Sequence, residues 1–204
     1  MADILVLYYS ATGAVRTLAQ SVARGIASVE GMEARVRTVP KVAPVIETPQ
    51  PPVPRQGPAM PRQGPPYVEP RDLEECVGLA LGSPTRFGNM AAPLKHFIDG
   101  LGTQWTRGTL AGKPAAVFSS TASMHGGQEA TLITMMLPLL HHGMVIVGLP
   151  YTEPDLNATR SGGTPYGATH VSGTANDRPV TEEEARLAFA LGKRLATVAR
   201  KLST

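Results

Sequence analysis

Residues 4–26 read ILVLYYSATGAVRTLAQSVARGI, and this stretch decides the fold. Ile4–Tyr9 is a nearly continuous apolar run, patterned like a strand covered on both faces of a parallel sheet. After Ser10-Ala11-Thr12-Gly13 the period changes. Val15, Leu18, Ala19, Val22, Ala23 and Ile26 recur at three- and four-residue intervals, which predicts an amphipathic helix. A buried strand that passes through a small polar turn into a helix is the repeating unit of an α/β domain.

The rest of the chain repeats that unit. Ala34–Val39 alternates as a shorter strand, and Cys76–Leu81, Ala115–Phe118 and Met144–Val147 are further short apolar runs. Helical spacing fits Ala92–Asp99, Glu129–His142 and Thr181–Lys201, the last opening on Thr181 and Glu184 at capping-box spacing. Five strands with interleaved helices and no hairpin signals predict a doubly wound, five-stranded parallel α/β sheet, its right-handed crossovers placing helices on both faces.

Composition sets the limits. The 204 residues suit one domain, and 42% hydrophobic with 17% charged residues excludes a chain disordered throughout. No apolar run approaches the roughly 20 residues of a membrane span, so no integral membrane contact is expected. The N-terminus runs straight into a strand-like segment without a basic stretch and cleavable apolar run, so no signal peptide is expected. A single cysteine, Cys76, permits no internal disulfide and fits a reducing cytoplasm. Net charge is +3, with the basic residues scattered rather than striped, which argues against a nucleic-acid partner.

Proline is concentrated in one place. Eleven of the nineteen prolines lie in Pro40–Pro70, where Pro-Arg-Gln-Gly-Pro occurs at Pro54–Pro58 and again at Pro61–Pro65. Proline fixes φ and donates no hydrogen bond, so the segment is expected to be an extended surface loop inserted in the domain. A docking peptide for an aromatic groove is the alternative, since PxxP can be parsed at Pro49–Pro52 and Pro51–Pro54.

In a doubly wound sheet, ligands bind outside the carboxyl ends of the strands. Three loops rich in small polar residues follow strands there: Ser10–Val15, Ser83–Met90 and Ser120–Gly127. The first has the chemistry of a phosphate cradle, with hydroxyls and free N–H groups at a helix N-terminus. It lacks the Gly-Lys-Ser/Thr of a triphosphate loop and the GxGxxG of a dinucleotide fingerprint, so a monophosphate fits better. The alternative is a plain N-cap in which Ser10 or Thr12 only satisfies the helix. No His/Cys/Asp/Glu cluster has metal-ligand spacing, and no GxSxG elbow is present.

Taken together, LVLYYS (Leu5–Ser10), SPTRFGNM (Ser83–Met90), FSSTAS…GGQE (Phe118–Glu129), HHGM (His141–Met144) and GGTPYGA (Gly162–Ala168) resemble the WrbA family of NAD(P)H:quinone oxidoreductases. The resemblance implies a flavodoxin-like FMN-binding domain over 1–204 that assembles as a homotetramer. It implies that Ser10, Ala11, Thr12, Gly13, Ala14 and Val15 wrap the FMN phosphate. Thr85, Arg86, Phe87, Gly88 and Asn89 would line the isoalloxazine, with Arg86 offering backbone donors to flavin carbonyls. Ser120, Thr121, Ala122, Ser123, Gly126 and Gly127 would flank the ring's other edge. Trp105 would wall the substrate side, and His141 would turn its imidazole into the flavin pocket. The chain departs from the family at Thr12, where an aromatic linked to nicotinamide contact is usual; Thr12 follows the flavodoxin pattern Ser/Thr-x-Thr-Gly instead, and is a candidate for both phosphate and substrate contact. Tyr166 is either a turn residue or a pocket lid.

The implied reaction is two-electron reduction of quinones by NADH or NADPH, with no catalytic side chain because the flavin carries the chemistry. A one-electron flavodoxin-type carrier is the runner-up, although such carriers are usually strongly acidic. A regulatory protein tied to a transcriptional repressor is third.

Overall fold

The computed structural model describes residues 1–42, 61 and 63–203. The chain runs β1 (Ala2–Tyr8), α1 (Ala14–Ala27), β2 (Met32–Thr38), α2 (Pro70–Glu75), β3 (Gly78–Pro84), α3 (Ala92–Asp99), α4 (Gly102–Thr106), β4 (Pro114–Thr121), α5 (Gln128–His141), β5 (Val145–Ile146), α6 (Pro154–Ala158), β6 (Gly167–Val171) and α7 (Glu182–Leu202). All strand pairings are parallel, in the order β2-β1-β3-β4-β5.

The fifth position is filled twice. β5 pairs with Pro114 and Ala115 at the start of β4, and β6 pairs with Val117–Thr121 along the rest of it. One strand site is therefore shared by two segments, with α6 and its flanking loops between them. The expected five-strand sheet is present; β6 is a strand, and α2, α4 and α6 are short helices, that the sequence pattern did not predict.

Burial explains the apolar runs. Ile4, Val6 and Tyr8 face one core with Val15, Leu18 and Val22 of α1 and Leu187, Leu191 and Leu195 of α7. Leu5 and Leu7 face the other with Leu94, Leu132 and Met135. Because both faces of β1 are covered, its sequence shows no alternation. α1 and α7 approach closely: a Cβ at Gly192 would stand 2.1 Å from the Val22 carbonyl oxygen, so only glycine fits there.

Most of Pro40–Pro70, namely residues 43–60 and 62, lies outside the described residues. Its return limb adds to the sheet edge, as Thr38 donates to the Pro66 carbonyl and accepts from Val68. Pro70 then occupies the first turn of α2, where its missing N–H costs nothing.

Candidate functional site

The carboxyl ends of β1, β3, β4 and β6 converge at one edge of the sheet, and four loops rise from it. In the first, Ser10 Oγ accepts from the Gly13 N–H (3.1 Å) and the Arg16 N–H (3.3 Å). Ser10 thus caps α1, while its single hydroxyl hydrogen remains to be donated. The amides of Ala11, Thr12, Ala14 and Val15 have no acceptor among the described residues. No acidic residue stands in the first turn of α1. This donor set fits a phosphate: free N–H groups, one hydroxyl and the positive end of a helix. Thr12 donates to Asn176 Oδ1 at 3.2 Å.

Arg86-Phe87-Gly88-Asn89 is a two-residue turn. Arg86 N–H donates to the Asn89 carbonyl at 2.7 Å and Asn89 N–H returns the bond at 3.1 Å, with Phe87 at φ 54° and Gly88 at φ 74°. Positive φ at both central positions is the I′ geometry, in which glycine is at ease and phenylalanine is not. Phe87 is nonetheless held there with its ring wholly exposed. The expectation for Arg86 needs correction. Its amide is consumed by the turn, and the amides of Thr85, Asn89 and Met90 are likewise engaged by Ser120 O, Arg86 O and Asn89 Oδ1. The amides left to face a ligand are those of Phe87 and Gly88.

Helix α5 braces this turn. Thr134 Oγ1 donates to the Gly88 carbonyl (2.8 Å), and Thr131 Oγ1 bonds Thr85 Oγ1 (2.7 Å). Gly127 meets the turn directly, since a Cβ there would lie 3.5 Å from Gly88 Cα. The third loop, Ala122–Gly127, therefore abuts the second. Ser120 and Thr121 belong to β4 itself, not to the loop: both are buried, and Thr121 Oγ1 is committed to the Ser123 carbonyl at 2.8 Å. Ala122, Ser123, Gly126 and Gly127 follow β4 in that loop.

Trp105 and His141 do not join this group within one chain. Trp105, on α4 rather than in a loop, donates its indole N–H to the His141 carbonyl at 2.8 Å. Gly112, two residues before β4 begins, donates to the Gly143 carbonyl. Both residues therefore lie at the amino end of β4, separated from the loop at its carboxyl end by eight extended residues, about 25 Å. Burial pushes the neighbouring His142 imidazole down, and the adjacent His141 reinforces this. Tyr166 lies in the turn Thr164–Gly167, where its amide donates to Thr164 Oγ1.

The fourth loop, Ser172–Val180, is not marked by a strand signal in the sequence pattern because β6, which it follows, lacks an apolar run. Its reading Ser-Gly-Thr-Ala-Asn has the small polar composition of the other three, and that is the signal that could have found it.

Comparison with known proteins agrees with this architecture. Residues 3–152 match the family model of NADPH-dependent FMN reductases. A protein of Chromohalobacter salexigens named NAD(P)H dehydrogenase (quinone) is 40% identical over 205 residues, covering all of both chains. One of the same name from Syntrophus aciditrophicus is 41% identical over 98% of each. The chain belongs to the NAD(P)H dehydrogenase (quinone) family.

Among solved structures, a WrbA-like flavodoxin from Agrobacterium tumefaciens superposes with a TM-score of 0.69 at 19% identity, covering 98% of this chain and 99% of that one. Family membership makes this an oxidoreductase working with a nicotinamide dinucleotide and FMN. The cradle at Ser10–Val15 fits that cofactor's phosphate by the donors just described.

Proposed function

We propose that this NAD(P)H dehydrogenase (quinone) relative reduces quinones to hydroquinones by two electrons, with nicotinamide and quinone using one shared site at the carboxyl edge of the sheet. The observation that carries this reading is that the Phe87–Gly88 turn and the Ala122–Gly127 loop abut at the carboxyl edge of the sheet, where the Ser10–Val15 cradle leaves the neighbouring strand β1. When bound there, FMN supplies the hydride chemistry. The cradle anchors its phosphate through Ser10 and the α1 amides. The Phe87 and Gly88 amides face the ring, and α5 fixes their orientation through Thr131 and Thr134. No Asp or Glu lies between Ser83 and Ala92, so nothing acidic in that loop opposes negative charge on a reduced ring.

We further propose a homotetramer in the cytoplasm. Ile133, Leu137 and Leu140 lie on one face of α5, 42–54% exposed, beside the half-exposed Trp105. A second copy covering that face would also bring Trp105 and His141 to a flavin site that their own chain keeps them from.

The test is steady-state reduction of 1,4-benzoquinone by NADPH and by NADH at several fixed quinone concentrations. Parallel double-reciprocal lines are expected for one site used in turn. Intersecting lines would show both substrates bound together, and no nicotinamide oxidation would overturn the reading altogether.

A further inference from the structure

Between the third and fourth loops lies a cleft of about 260 Å³ that borders the proposed flavin site along Ala122 and Ser123. Its walls include Ser123, Arg160, Ser161, Gly173, Thr174 and Arg178. We propose that this cleft binds the 2′-phosphate of NADPH, with Arg160 and Arg178 as the residues that distinguish NADPH from NADH. The proposal rests on the quinone reductase reading above.

The chain brings the two arginines together by different routes. Arg160 follows α6 in the segment between β5 and β6, and Arg178 ends the loop after β6. Neither makes an ion pair or a side-chain hydrogen bond among the described residues. The Ser123 and Thr174 hydroxyls are also uncommitted there, whereas Ser161 Oγ is spent on Glu184 at 2.6 Å. The cleft therefore offers two guanidinium groups and two free hydroxyls.

The backbone supports this use of Arg178. Its amide donates to the Ser172 carbonyl at 2.9 Å, fixing the end of the loop. Its side chain folds over Gly173, where a Cβ would meet Cγ at 3.2 Å and Nε at 3.3 Å. Gly173 also stands at φ 79°, so the position suits glycine on two grounds. Asp177 also lies over Gly173, but it pairs with neither arginine and does not line the cleft, and the Glu184 carboxylate behind Ser161 is spent on Ser161 and the Gly162 amide.

Charge and place select the ligand. A phosphomonoester carries close to two negative charges at neutral pH, and a planar guanidinium grips it through paired N–H donors. The FMN phosphate is already provided for by Ser10 and the α1 amides; that cradle touches the β6–α7 loop through Thr12 and Asn176, but none of its residues lines the cleft. Ser123 belongs to the loop that borders the flavin site on its other side. A dinucleotide with its nicotinamide at the flavin can thus send its adenosine end over that loop into the cleft.

The experiment compares kcat/KM for NADPH and NADH, with benzoquinone as acceptor, in the wild type and in Arg160→Ala/Arg178→Ala. The wild type should favour NADPH, and the double variant should lower the NADPH-to-NADH ratio by about tenfold or more, the worth of one strong charge-assisted contact. As a second measurement, adenosine 2′,5′-bisphosphate should inhibit the wild type more strongly than adenosine 5′-monophosphate does. Equal use of the two cofactors by the wild type, or equal losses with both in the variant, would overturn the proposal. So would a comparable loss of FMN affinity, because the arginines would then belong to the flavin phosphate. Failure to oxidise either cofactor would instead refute the quinone reductase reading.

Discussion

Thr12 hands its hydroxyl hydrogen to Asn176 Oδ1 across 3.2 Å, joining the first loop of the chain to the last one at the carboxyl edge of the sheet. Asn176 sits at φ 56°, a conformation that asparagine tolerates better than most residues. The bond holds the cradle against the β6–α7 loop, so the two loops should respond together to the cofactor. We expect Asn176→Ala to weaken FMN by about 1 kcal/mol, the usual net value of one hydrogen bond, and Thr12→Ala to add little more on top of it. Titrating the apoprotein of both single variants and of the double variant measures this coupling. Strictly additive losses would mean that the two residues act separately.

Ser10 gives a sharper test because its oxygen is already spoken for. Ser10→Ala removes the acceptor of the Gly13 and Arg16 amides as well as a donor to phosphate. The apoprotein should lose about 1 kcal/mol of stability, the ordinary cost of a lost N-cap. FMN affinity should fall too, since a hydroxyl donor to a charged phosphate is lost. Urea unfolding without FMN and fluorescence titration with it separate the two effects. A loss of stability with unchanged FMN affinity would reduce Ser10 to a helix cap.

Phe87 carries local strain in an exposed turn. A bulky side chain at positive φ costs roughly 1 kcal/mol, while Asn-Gly is the favoured pair for this turn. We expect Phe87→Asn to raise the melting temperature and to lower quinone turnover, because the ring leaves the site. Thermal melts and benzoquinone rates on the same preparation check both halves. A variant that is more stable and equally active would show that the ring does nothing at the site.

The strand–turn–helix unit at residues 4–26 was legible because each burial partner lies on a regular period. Ala92–Asp99 was read at its observed bounds for the same reason. β6 escaped because Gly-Ala-Thr-His-Val offers no bulky apolar run; its burial comes from β4, α7 and the Thr169–Gln128 bond, all distant in sequence. β5 shrank to Val145–Ile146 because its strand position is handed on to β6. Short motifs located the cradle and the Phe87 turn, yet no local pattern could report that Arg86 spends its amide on Asn89. Nor could one show that Trp105 and His141 stand at the far end of β4, since that follows from the path of the crossovers.

The apolar face of α5 should mark an interface. Leu137→Glu places a charge in its middle, on a side chain the isolated chain leaves half exposed, so the monomer should fold normally. Light scattering should show a smaller assembly, and quinone turnover should drop with it if Trp105 and His141 act from a neighbouring copy. An unchanged assembly would remove this face as the interface.

Glu184 sets the expected response to acid. It is fully buried, and its carboxylate accepts from His170 Nδ1 (2.7 Å), Ser161 Oγ (2.6 Å) and the amides of Gly162 (2.8 Å), Thr181 (2.9 Å) and Val171 (3.2 Å). Burial pushes this carboxyl up, but the bonds from His170, Ser161 and Thr181 outweigh it and hold the pKa down at about 2, against an ordinary 4.5. Because the folded value is the lower one, the unfolded chain takes up the proton first as pH falls. The stabilisation, about 3 kcal/mol for a shift of this size, is complete above pH 4.5 and disappears as pH approaches 2. Glu184→Gln cannot titrate. The stability gap between wild type and variant should therefore be widest near neutral pH and should narrow steadily below pH 4.5. Urea midpoints from pH 7 to pH 3 measure it, and a gap that stays constant across that range would mean that Glu184 is not held as a carboxylate in the folded protein.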